Sequence, residues 1–95
     1  RNMDYLLGQG SSEMRKRVLT GLLEHPSIDR VTYLHVEYVG PSRLFVVAAI
    51  DLTGDDPEPD LARRLHAVER EVEDNDLIED AVLTLAHPED PPLTP

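Results

Sequence analysis

Met14, Val18 and Leu22 recur at spacing four, and Leu19 and Leu23 widen them into an apolar stripe. That period predicts an amphipathic helix of about three to four turns. Ser11 and Ser12 suit its N-cap, and Glu13 falls in the first turn, where the helix dipole favours an acid. Gly8 and Gly10 are expected to break any longer helix, and Pro26 stops it, because the residue before proline is pushed out of the helical region. From 28 to 39 the period changes to two. Leu34, Val36 and Tyr38 fall on one side, and Tyr33, His35, Glu37 and Val39 on the other. Gly40-Pro41-Ser42 signals a turn. The segment 43–52 then reads as a strand apolar on both faces, with Phe45, Val47 and Ala49 opposite Leu44, Val46, Ala48 and Ile50. A connection this short makes the two strands an antiparallel hairpin.

Gly54, Asp55, Asp56 and Pro57 mark a loop, and Pro59 suits the first position of a second helix. Leu61, Leu65, Val68 and Val72 give that helix its apolar stripe, and the acidic residues around Asn75 end it. The segment 78–85 reads as a third strand, and the prolines at 88, 91 and 92 exclude the tail from a sheet. The predicted fold is therefore α+β in the order α-β-β-α-β, with two helices on one face of a three-stranded sheet. This is the ferredoxin-like βαββαβ order without its first strand. The other sheet face is expected to be bare and to present Leu44, Val46 and Ala48. A patch of that kind usually marks a partner, here a homodimer through or beside that face.

Composition narrows the function. The chain has 95 residues and no cysteine, which allows one modest core and excludes disulfides and thiolate metal sites. Its longest apolar run, 44–50, has the length of a strand and falls far short of the ~20 residues of a membrane-spanning helix. A first residue of Arg1 rather than Met suggests a fragment of a longer chain, with 1–10 as an entry segment, 11–88 as the domain and 89–95 as a proline-rich tail. Net charge is −10, and fourteen of the nineteen acids lie in 49–95 against three Arg. Such a surface repels nucleic acid and suits cations.

No phosphate loop, His-Glu-x-x-His, calcium loop or nucleophile elbow is present, and no catalytic residue or enzymatic activity is assigned. His35 and Glu37, two apart on a strand, point the same way and could share a divalent cation; the alternative is an exposed polar pair at a sheet rim. His87, followed by Glu89 and Asp90, is the other candidate ligand, with a solvated tail as its alternative. His25 caps the negative end of the first helix, and His66 lies off the apolar stripe.

Taken together, Leu6-Leu7-Gly8, His25-Pro26-Ser27-Ile28, Val31-Thr32-Tyr33-Leu34 and Val39-Gly40-Pro41-Ser42-Arg43-Leu44-Phe45-Val46 resemble the cytoplasmic C-terminal domain of cation diffusion facilitator transporters. The acidic loop, the helix from Pro59 and the closing strand continue the resemblance over nearly the whole chain. It implies a metallochaperone-like domain, at the cytoplasmic face of the membrane, that follows a transmembrane unit. Such a domain dimerises, binds divalent cations such as zinc or manganese near the interface and regulates efflux, while the transport site lies in the membrane helices. Histidine positions of some members fall here on Thr32, Ala48 and Leu85, and His87 falls where a carboxylate ligand sometimes stands. Either the metal site has moved to His35, Glu37 and His87, or the domain is chiefly a dimerisation element; the apolar Val46 and Ala48 favour the second. The rival reading is a free-standing ferredoxin-like module that binds a small ligand or metal.

Overall fold

The computed structural model of the protein describes residues 2–41, 43–54 and 57–95, and the side chains from residue 13 onward except that of 58. The elements are α1 (Asn2–Glu24), β1 (Ile28–Tyr38), β2 (Leu44–Leu52), α2 (Glu58–Glu73) and β3 (Ile78–Leu85). The expected order α-β-β-α-β is thus observed. The expected turn residue Ser42 and the loop acids Asp55 and Asp56 lie outside the described residues, as do the side chains of the expected caps Ser11 and Ser12.

Helix α1 starts well before those two serines. No proline interrupts residues 2–25, and a helix nucleated by its packed C-terminal half gains one backbone hydrogen bond for each residue it adds. Glycine opposes this by only about 1 kcal/mol per position, so Gly8 and Gly10 do not break the helix. It ends as expected ahead of Pro26, where the Leu22 carbonyl accepts from His25 N–H (3.1 Å) and His25 Nδ1 accepts from Ser27 N–H (3.0 Å). Pro59 stands in the first turn of α2, one place further in than expected, where no intrahelical N–H bond is lost.

The sheet order is β1-β2-β3, with β1 antiparallel and β3 parallel to β2. A strand that returns through a helix on the same face must run parallel to the one it left, so the sheet is mixed. Gly40 makes the tight connection with φ of 96°, a left-handed conformation that glycine adopts without strain. Two register shifts in β1, between Ile28 and Arg30 and between Val31 and Tyr33, turn Ile28 and Val31 inward together with Leu34 and Val36.

The core lies between the sheet and the helices. Leu19 and Leu22 from α1 and Val68 from α2 meet Ile28, Val31, Leu34 and Val36 of β1, Ile78, Ala81 and Leu83 of β3, and a full row from β2. That row is Leu44, Val46, Ala48, Ile50 and Leu52, all buried. Here the expected dimer surface is corrected: Leu44, Val46 and Ala48 are 1%, 0% and 0% exposed inside the protomer's own core. Pairing explains why. Tyr38, Val36 and Leu34 oppose Leu44, Val46 and Ala48 across the antiparallel ladder, and paired residues share a face. The Leu34/Val36 side, buried beneath α1, therefore carries these three inward.

Both edges of the sheet are partly covered. On β3, Ala81 N–H donates to Glu73 Oε2 (3.1 Å) and Leu83 N–H to Glu69 Oε2 (2.7 Å). The match is metric, since four residues of helix rise about 6 Å and two residues of strand about 6.6 Å. On β1, the Leu34 carbonyl accepts from Arg15 Nε (3.3 Å) and the Val31 carbonyl from Leu93 N–H (2.7 Å). Unpaired strand edges invite other strands, and these contacts cover the middle of β3 and two carbonyls of β1.

At the second register shift the Thr32 hydroxyl is buried with no hydrogen-bond partner among the described residues. An unpaired buried hydroxyl is destabilising, and valine keeps its shape without its polarity. Thr32→Val is therefore expected to stabilise the protein by about 1 kcal/mol, read as a higher urea midpoint at unchanged slope. A lower midpoint would show that the hydroxyl is satisfied.

Candidate functional site

The face of the sheet turned away from the helices is laid out in three rows across the strands. Tyr33, Ala49 and Thr84 form one, His35, Val47 and Val82 the next, and Glu37, Phe45 and Asp80 the third. Apolar side chains fill its centre, where Phe45, Val47 and Ala49 are half-buried and Tyr33 and Val82 are exposed. Its polar groups sit at the margins. This face follows from β2 being apolar on both sides: one row makes the core and, among the described residues, no helix or strand lies above the other.

His35 and Glu37 lie side by side on this face, as their spacing predicts. His35 Nε2 is 2.8 Å from Glu37 Oε1, and the side chains are 48% and 55% exposed. They offer one imidazole nitrogen and one carboxylate to solvent, two donors for a borderline or hard cation.

His87 does not join them. It follows β3, whose Leu85 pairs with Ile50, whereas His35 pairs with Val47. The displacement is about five residue steps along the strands, on the order of 15 Å, plus two strand spacings. His87 instead has Glu89 near it, Nδ1 to Oε1 3.8 Å, with both side chains mostly exposed. Among the described residues no three His, Asp or Glu side chains converge on a point where a metal ion could sit. The expected trio His35, Glu37 and His87 is therefore divided within one chain into a pair and a distant third.

The tail was expected to leave the sheet, and in strand terms it does, but it remains attached. Ala86 N–H donates to the Ile50 carbonyl (2.7 Å), Arg30 Nη1 to the Asp90 carbonyl (2.9 Å), and Leu93 packs against the core while its N–H reaches Val31. Arg30 also holds Asp51 through Nε (2.6 Å) and Nη2 (2.5 Å). One guanidinium thus ties β1, β2 and the tail at the end of the sheet opposite Gly40. The legible signal was Leu93, a lone apolar residue among prolines; its target, a carbonyl between two register shifts, was not legible.

No family model matches the chain, and no curated protein matches it in sequence. Solved structures do match in fold. A zinc form of the MamM CTD superposes with a TM-score of 0.67 at 17% identity, over 86% of this chain and 97% of that one. The metal-bound C-terminal domain of the CzcD transporter from Thermotoga maritima gives 0.63 at 18% identity, over 83% and 94%. Among the described residues no helix is long and apolar enough to cross a membrane. The α-β-β-α-β chain with its mixed three-stranded sheet is thus built, over most of its length, on the fold of the C-terminal domains of MamM and of the CzcD transporter.

Proposed function

We propose that this chain is the cytoplasmic regulatory and dimerising domain of a divalent metal cation efflux transporter of the cation diffusion facilitator family. The observation that carries the reading is the open sheet face, an apolar surface bearing a His35–Glu37 pair on a fold shared with two metal-bound domains. Two carboxylates cap β3 and the open face is apolar at its centre, so a second copy would meet this one face to face, through Phe45, Val47 and Ala49. Closed two-fold dimers are the commonest assembly, and in them the same patch of both copies meets, so residues close to the axis face their own counterparts. One His35 and one Glu37 are short of a coordination set; two copies supply two nitrogens and two carboxylates, the number of ligands zinc takes in closed sites. Metal in such a position would tighten or reorient the pair, which is a means of reporting cytoplasmic cation to an attached transport unit. The acidic surface supports this by concentrating cations.

The test combines sedimentation of the 95-residue chain, with and without zinc or manganese, and calorimetric titration of each ion. A dimer that Val47→Asp dissociates by at least about tenfold in Kd, with one metal bound per two chains and none after His35→Ala, is the expected result. A dimer without heat of binding makes the domain a dimerisation scaffold and removes the metal from the reading. A monomer at all concentrations overturns the dimer itself.

A further inference from the structure

We infer that the cleft between α1 and α2 is a binding site for a small amphiphilic monoanion, an alkyl or aryl carboxylate, whose charged group is taken by Arg17. The inference is independent of the transporter reading. Helix α1 packs on β1 and α2 on β3, and between them remains a cavity of about 280 Å³. Its walls and floor are apolar: Met14, Val18 and Leu22 on one side, Val72 and Leu77 on the other, Leu44 and Ile78 beneath. The bond from His25 Nε2 to Glu71 Oε1, 2.5 Å, closes one end. Leu77, on the lip, is 46% exposed.

Two further observations indicate an occupant and its chemistry. Gly21 lines the cleft in the interior of α1, and a Cβ built there would meet nothing within 4 Å. Glycine in that position sacrifices about 1 kcal/mol of helix stability relative to alanine. Gly21 is exposed at the rim of the cleft, and a glycine there leaves that part of the rim without a side chain. Arg17 lines the cleft as well, and among the described residues it has no hydrogen-bond or ion-pair partner, although Glu13 lies one helical turn away. Guanidinium groups favour carboxylates through paired N–H bonds. Glu71 is held by His25 at the closed end, which leaves Arg17 as the unpaired guanidinium at the cleft.

Size and charge fix the class. The volume lies at the lower edge of the roughly 300–1,000 Å³ of small-molecule sites, and α2 contributes only about one turn to the wall, too little to hold a docked helix. One cation within a protein of net charge −10 selects a single negative charge and rejects polyanions.

Octanoate serves as the probe, titrated into the 95-residue chain by calorimetry and followed by methyl resonances, with 1-octanol and inorganic phosphate as controls. Saturable octanoate binding that shifts the Met14 and Leu77 methyls is expected, with octanol about tenfold weaker and phosphate silent. Arg17→Gln, an exposed change that leaves the core untouched, should reduce octanoate affinity about tenfold and leave octanol unaffected. Gly21→Leu should fill the cleft and abolish both. Absence of saturation at millimolar octanoate overturns the inference, as does binding that survives Gly21→Leu. Met14 and Leu77 resonances that move with protein concentration alone would show the cleft taken by a second copy, and would overturn it equally.

Discussion

Val46→Asp is expected to unfold the domain, whereas Val47→Asp, one residue on, is expected to leave it folded. Val46 is fully enclosed among Leu, Val and Ile side chains from both layers, and no cation stands among those core residues to pair with a carboxylate. Placing an unpaired acid there is expected to remove about 4 kcal/mol or more. A domain of this size has only about 5–15 kcal/mol in total. Val47 points to the open face and is half-buried there, so its replacement by Asp keeps the new charge within reach of water. Circular dichroism through a urea titration separates the two: Val46→Asp should lose most of its cooperative transition, and Val47→Asp should retain its midpoint within about 1 kcal/mol. The reverse pattern would mean that β2 presents its other row to the helices.

Removing both carboxylates that close the β3 edge should produce a second large effect. Glu69 and Glu73 each accept a backbone N–H from β3, and a hydrogen bond to a charged group contributes about 1.5–3 kcal/mol. Replacing both by leucine is expected to destabilise the domain by about 2–4 kcal/mol. Ala81 N–H keeps a contact with Asp80 Oδ1 at 3.0 Å, which sets the loss below the full sum. The same change uncovers a strand edge beside an apolar sheet face, so light scattering should rise with time and concentration. Glutamine at both positions retains an acceptor oxygen and should restore most of the stability and the clear solution. If the leucine variant stays as stable and as dispersed as the parent, the carboxylates do not protect the edge.

The helical and strand segments were legible because period and punctuation agree. The spacing of Met14, Val18 and Leu22, the stop at Pro26, and the alternation from Tyr33 to Tyr38 each correspond to what is observed. The start of α1 was not, because glycine and serine disfavour a helix locally only by amounts that propagation from a packed segment exceeds. The His35–Glu37 pair was legible because two residues on one strand face need no tertiary information to be neighbours. Its separation from His87 was not, because the distance depends on how β3 aligns with β2, which is set by the α2 crossover rather than by any local pattern.

The sequence by itself determined the order of elements, the inward side of β1 from Leu34 onward, and the lack of any cysteine thiolate. Tertiary structure decided which row of β2 is core. Leu44, Val46 and Ala48 are as apolar as Phe45, Val47 and Ala49, so hydropathy alone leaves the two rows equivalent. Pairing with Leu34 and Val36 breaks the tie, because strands joined in a ladder share their faces and only one face lies beneath the helices. The same packing set the edge carboxylates against β3, drew Leu93 back to Val31 and left the space beside Gly21. Each of these depends on distances between elements, and no run of residues read along one element contains them.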